Sequence, residues 1–187
     1  MPENDSAYTI PSSGKVYLAP SGTPSPAVAD LDAPTSPWSE LGHVGTEDNT
    51  GAPNIQYDGG DKTTKGSWAK KSIRTITAAI TDYITMSLSQ IDRTTLGLYF
   101  GGTGGTTANE FAGNTTDPNT TETALLIVWQ DGTEYFGVWY SRTEVGRDDS
   151  IDLTDNENPA MLPVRFTVLD PPTGTLKFKF ISTTIGS

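Results

Sequence analysis

The chain has 187 residues, no cysteine, and twelve Lys and Arg against twenty-three Asp and Glu, a net charge of −11. Its length suits one domain able to bury roughly 70% of the surface the unfolded chain exposes. The missing thiols exclude disulfides, Cys nucleophiles and Cys-based metal sites, and the acidic balance argues against a protein that grips phosphate.

In chain order, the start Met1-Pro2-Glu3-Asn4-Asp5 lacks the basic and apolar runs of a signal peptide. No segment approaches the ~20 apolar residues of a membrane span. Residues 1–37 are rich in Pro, Ser, Ala and Asp, with one strand-like run, Lys15-Val16-Tyr17-Leu18-Ala19. They read as an extended N-terminal arm or a segment lying on the surface. Residues 38–44 read as a strand, and 45–66, with Gly51, Pro53, Gly59 and Gly60, as a long loop in which 54–58 could pair.

Residues 67–81 are β-like. Ile76, Ala78 and Ile80 share one parity and Thr75, Thr77 and Thr81 the other, and the alternation continues as Ile84, Met86 and Leu88 against Thr85, Ser87 and Ser89. The pattern fits either one long strand or a tight turn near Ala79 to Asp82, with no Gly or Pro to decide. Asp92 is a natural N-cap for a two-turn helix to Phe100, with Leu96, Tyr99 and Phe100 on one face and Gly101-Gly102 as the stop.

A Gly/Thr/Asn-rich loop follows. Residues 123–129 are apolar on both faces, as in a central strand. Asp131-Gly132 signals a type I′ hairpin turn into a return strand over 134–141. Leu162, Val164, Phe166 and Val168, then Leu176, Phe178 and Phe180, alternate around Pro171-Pro172-Thr173-Gly174 and read as a second hairpin. The sum is a mainly β fold, a β-sandwich or partly closed barrel with one short flanking helix and long loops, in a single domain over 1–187.

Enzyme chemistry finds little support. His43 is the one histidine, with no nucleophile motif beside it. The run Gly101-Gly102-Thr103-Gly104-Gly105 follows a helix and lacks the Lys-Ser/Thr of a phosphate loop. Asp148, Asp149, Asp152, Asp155 and Glu157 do not have EF-hand spacing and read as a solvated acidic loop. No cofactor, metal, small molecule or membrane partner is expected. Trp38, Trp68, Trp129 and Trp139 are expected in the core or at an interface.

Charge is unevenly placed. Lys62, Lys65, Lys70, Lys71 and Arg74 are five of the twelve bases, whereas residues 110–157 hold eleven acids and only Arg142 and Arg147. Such a split suits head-to-tail contact between identical subunits.

The run Trp38-Ser39-Glu40-Leu41-Gly42-His43-Val44, then Gly66-Ser67-Trp68 with Lys71-Ser72-Ile73-Arg74, resembles the major tail proteins of long-tailed, siphovirus-type bacteriophages. The stretch 84–101, with Leu88-Ser89-Gln90-Ile91-Asp92 and Leu96-Gly97-Leu98-Tyr99-Phe100-Gly101, adds to the likeness, in particular to tail tube subunits of phages of actinobacteria. The resemblance covers roughly residues 15–181.

It implies a structural virion protein, not an enzyme. Such a protein is made in the host cytoplasm and self-assembles into hexameric rings. The rings stack as a tail tube through which DNA passes without sequence-specific binding. The implied partners are further copies, the tape measure, the tail terminator and the baseplate. On that reading Glu47, Asp48, Asp58 and Asp61 belong to an inter-ring loop, and Lys62, Lys65, Lys70, Lys71 and Arg74 to an inter-subunit basic segment. Thr75, Thr77, Thr85, Ser87 and Ser89 become lumen-facing polar positions. The competing expectation is a carbohydrate-binding β-sandwich module, with its tryptophans on the sugar.

Overall fold

The computed structural model describes residues 10–46, 48, 50–102, 107–113, 121–153 and 159–183. Among these are strands β1 (Ser13–Pro20), β2 (Ser39–Glu40), β3 (Asn54–Gly59), β4 (Lys62–Lys65), β5 (Arg74–Thr77) and β6 (Ile80–Leu88). Helix α1 (Arg93–Phe100) follows, then β7 (Thr121–Asp131), β8 (Glu134–Arg147), β9 (Leu162–Val168) and β10 (Phe178–Ser182). The main sheet runs β2-β1-β7-β8-β9-β6-β3 with β10 also beside β8, and β4 and β5 form a separate pair. Every pairing is antiparallel. The expected mainly β architecture with one flanking helix is what the chain adopts.

β7 and β8 carry the architecture. Ala124, Leu125, Leu126, Ile127 and Val128 are all buried, because each face of β7 meets its own hydrophobic layer. The β7–β8 register slips by one residue between Thr123 and Leu125. That bulge lets Val138 and Tyr140 upstream and Val145 downstream point into the same core despite their opposite parity. The core also takes Ile84, Met86 and Leu88 from β6, the four apolar residues of β9, and Leu98 and Tyr99 from α1.

The opposite face of β7–β8 is covered by the segment between β1 and β2. Leu31 is fully buried there with Trp38, Tyr17, Leu126, Trp139 and Ile181. Gly137 makes room for it: a Cβ on Gly137 would lie 3.0 Å from a Leu31 methyl. The segment is pinned by the Tyr17 hydroxyl donating to the Asp32 carbonyl (2.7 Å), Trp139 Nε1 donating to the Thr23 carbonyl (3.1 Å) and Lys15 paired with Asp32 (3.0 Å).

Helix α1 starts where its N-cap says it should. Thr95 N–H donates to the Asp92 carboxylate and Asp92 N–H to the Thr95 hydroxyl, both at 2.9 Å, a reciprocal capping pair. Its inward face is Thr95, Leu98 and Tyr99, with Leu96 only partly buried and Phe100 at the surface. The expected Leu96-Tyr99-Phe100 face is thus rotated, because the helix packs against both β8 and β9.

Several local expectations are corrected. The strand over 38–44 shrinks to β2, since Gly42 takes φ 86°, and only Val44 returns to pair, with Leu88. Residues 45–66 are not loop throughout but contain β3 and β4. In the β7–β8 turn only Gly132 (φ 59°) takes positive φ, and Thr133 does not, which is the II′ pattern and not I′. The expected second hairpin does not pair with itself: β9 lies beside 143–147 and β10 beside 136–140 of β8. Fourteen residues of β8 have length for both in succession.

Two outcomes follow. Leu31→Ala should cost about 2–5 kcal/mol, the range for emptying a buried leucine site; denaturant unfolding measures it, and a loss under ~1 kcal/mol would mean the covering segment is not part of the core. Burial, and after it the nearby Asp82 carboxylate, pushes the Tyr140 hydroxyl up from 10.0 to about 12. Its contribution is therefore whole below about pH 10 and is lost as pH rises through 12, because the unfolded chain ionises first. Tyr140→Phe should remove a loss of roughly 2–3 kcal/mol, and alkaline unfolding curves that coincide for the two proteins would contradict it.

Candidate functional site

The most exposed part of the fold is one long hairpin. β3 pairs with β6 from Asn54 opposite Thr85 to Gly59 opposite Ile80, and β4 pairs with β5 from Lys62 opposite Thr77 to Lys65 opposite Arg74. The two ladders are in the same register, so they are the base and the end of a single ribbon. Between them Gly60 N–H donates to the Ala79 carbonyl and Ala78 N–H to the Asp61 carbonyl. Gly59 (φ 88°) and Gly60 (φ 78°) make the junction. At Gly59 no side chain fits, since a Cβ would lie 2.1 Å from the Ala79 carbonyl oxygen. The chain therefore runs through from β5 to β6 in one direction, interrupted at Ala78 and Ala79, and makes no tight turn at 79–82.

Beyond the junction, every residue from 61 to 81 is exposed. The five residues 61–65 add roughly 17 Å of ribbon before the tip. The tip, 66–73, closes with Ser67 N–H donating to the Lys70 carbonyl (2.7 Å). An isolated two-stranded ribbon is marginal in water.

Its two faces differ. By period two, the side that carries buried Ile84, opposite Ile55, also carries Asp82 opposite Tyr57, Ile80 opposite Gly59, then Ala78 and Ile76, the last opposite Thr63, and it ends on Arg74 opposite Lys65. Ile55, Tyr57, Ile76 and Ile80 are all exposed, Tyr57 at 70%. The other side is polar: Thr85, Tyr83, Thr81, Thr77 and Thr75 against Asn54, Gln56, Asp58, Lys62 and Thr64. Gln56 ties it together, donating to the Thr85 hydroxyl and accepting from the Tyr83 hydroxyl, both at 3.0 Å. β10 adds two more exposed apolar groups, Phe178 (47%) and Phe180 (49%), which stack with Tyr140 and Phe136. Patches of this kind mark association surfaces.

Charge sharpens the contrast. Residues 60–77 hold five bases and one acid, net +4; the rest of the chain holds seven bases and twenty-two acids, net −15. Lys62, Lys65, Lys70, Lys71 and Arg74 are brought together on the ribbon's end, all exposed and none paired with a carboxylate among the described residues.

The other sequence-selected positions scatter. Asp58 and Asp61 sit on the ribbon. Asp48 lies in the β2–β3 connection, where hydrogen bonds first from the Thr46 hydroxyl and then from Thr50 N–H hold its carboxyl below the usual range. Glu47 is outside the described residues. Thr75 and Thr77 are open on the polar face. Ser87 and Ser89 instead lie under the β2–β3 connection: Ser87 exchanges backbone bonds with Gly45 and Gly51, and the Ser89 hydroxyl donates to the His43 and Gly45 carbonyls. His43 is itself exposed.

Among the described residues no group of three or more His, Asp or Glu could hold a metal ion. Asp148 pairs with Arg165 at 2.8 Å; Asp155 and Glu157 lie outside the described residues. Trp38 and Trp139 are core and Trp129 is half-buried, but Trp68 at the ribbon tip is fully exposed.

A groove of about 320 Å³ lies between β1 and the β2–β3 connection, walled by Pro11, Val16, Val44, Ala52, Pro53, Ile127 and Trp129. Sequence reading missed it and the exposure of the ribbon's isoleucine face. The Ile76-Ala78-Ile80 parity was visible, but parity does not say whether a face is covered.

A family model described as "Phage tail tube protein" matches residues 1–187. The chain is 40% identical over 181 residues to the major tail protein Gp23 of Mycobacterium phage D29, covering 91% of this chain and 88% of the relative. It is 38% identical to the major tail protein Gp23 of Mycobacterium phage L5 over the same shares.

Proposed function

The chain belongs to the phage tail tube protein family, and from that premise we propose that its copies close into hexameric rings that stack as the tail tube, the conduit for phage DNA. As a member it is a structural component of the virion tail. The observation that carries the finer reading is the ribbon: twenty-one consecutive exposed residues with a hydroxyl-rich face, a second face on which Ile76, Ala78 and Ile80 stand open, and a basic end. A lone subunit leaves that second face in water; a neighbouring copy would cover it. Sheets joined across copies also remove the free edges of β3 and β10.

In this arrangement the polar face, with Thr75, Thr77 and Thr85, lines the lumen. Hydroxyls there offer DNA neither charge nor apolar surface. Ser87 and Ser89 contribute through the connection that lies on them. Acidic groups near the passage repel the phosphates over about a Debye length, ~8 Å. The basic end meets the acidic body of another copy. Asp48, Asp58 and Asp61, with Glu47, contribute to contacts between rings. Residues 1–187 act as one tail-tube domain, and the ends of the tube meet other tail proteins.

Two measurements test this. Replacing residues 62–77 by Asn-Gly, which joins Asp61 to Ala78 by a two-residue turn, should leave the melting temperature within a few degrees and abolish tubes in electron micrographs. Tubes of normal length from that variant would refute the ribbon's role. Trypsin should cut the free subunit first at Lys70 and Lys71 and spare them in tubes; equal cleavage in both states would place the ribbon end outside the contacts.

A further inference from the structure

The ribbon tip presents a fully exposed indole, Trp68, beside Lys70 and Lys71. No residue of the tip is buried, so Trp68 has no folding role there. Elsewhere the fold leaves a groove, lined by Val16, Val44, Ile127 and Trp129 together with Ser13, Lys15 and Thr46, whose 320 Å³ is at the small end of ligand pockets. Gly14 keeps its floor low: a Cβ there would lie 3.1 Å from the Val128 carbonyl and 3.6 Å from the Trp129 ring.

Charge at the mouth fits the tip. Lys15 is drawn to Asp32 at 3.0 Å, which leaves its charge compensated. Asp48 is exposed two residues beyond Thr46 of the groove lining. Asp131 accepts from Ile10 N–H (2.8 Å), next to Pro11 of the wall. Two carboxylates therefore stand near the groove, Asp48 bonded to Thr46 of its lining and Asp131 to Ile10 beside Pro11, and two ammonium groups follow the indole. Tryptophans that fill a pocket on the partner are among the commonest interface hot spots, and opposite charges at the rim set orientation and register.

We propose that Trp68 of one copy inserts into the groove between β1 and the β2–β3 connection of a second copy, with Lys70 and Lys71 facing Asp48 and Asp131 at its mouth. This rests on the self-assembly reading above and adds the socket to it. The socket is built from β1, β7 and the connection that leads into β3, at the opposite end of the ribbon from its tip. The joint is heterologous, tip into groove, so it propagates from copy to copy and does not close a pair.

The chain's lack of cysteine makes the test direct. Ala69→Cys, next to the indole, and Ser13→Cys, at the groove, are made in separate chains, assembled together into tubes and oxidised. A disulfide-linked dimer is expected, since the bond needs Cα atoms within about 7 Å. Mixing Ala69→Cys with Ser150→Cys should give none.

Trp68→Ala should keep the monomer's circular dichroism and raise the concentration needed for assembly at least tenfold, with Trp68→Phe in between. Tubes that form without the Ala69–Ser13 link, or Trp68→Ala assembling at the wild-type concentration, would overturn the socket and leave the tube reading standing. A Ser13→Cys chain that links instead to Asn4→Cys in its own N-terminal segment would give the groove to that segment. Wild-type chain that forms no tubes under any condition tried would remove the premise and the socket with it.

Discussion

Strand β8 offers one edge to β7 along its length and the other to β10 and β9 in turn, and both hydrophobic clusters meet on its faces. Its length and single bulge are what the rest of the fold depends on. Without the bulge, Val138 and Val145 would face opposite sides, and the core would lose either the α1–β9 layer or the β10 end. Without the length, β10 would have no edge to join, and the Phe178–Phe180 wall would not stand beside Tyr140.

The same geometry explains why the ribbon is free. β9 ends at Val168, opposite Thr143 on β8 and close to where β6 begins. Beyond Ile80, among the described residues, β4 is the strand beside β5. The ribbon then continues with its own cross-strand pairs and, among the described residues, nothing buries either face. A solitary domain gains nothing from such an extension. The ribbon is the part of the fold that the subunit's own strands leave uncovered among the described residues.

Glycine placement tells the same story at two points. Gly137 lets Leu31 reach the sheet and closes one side of the domain. Gly59, where any Cβ would collide with Ala79, sets the junction at which the ribbon leaves the sheet. One makes the subunit self-contained, and the other makes the part of it that is not.

Much was legible without coordinates. Period-two alternation in β6, β9 and β10, the unbroken apolar run of β7, the Asp131-Gly132 turn and the Asp92 cap are local signals, set by side-chain geometry within a few residues. So was the clustering of five bases over 62–74. The tertiary structure alone decided which strands pair, because β9 and β10 carry the same alternation whether they pair with each other or share β8. It alone showed that 45–66 supplies half of a hairpin whose partner is 74–85, since polar Thr and Lys carry no burial signal to mark a strand. And it alone separated Ile84 in the core from Ile76 and Ile80 in solvent. The sequence writes one apolar stripe through all three; where the sheet runs out of neighbours is a property of the assembled layers, not of the stripe.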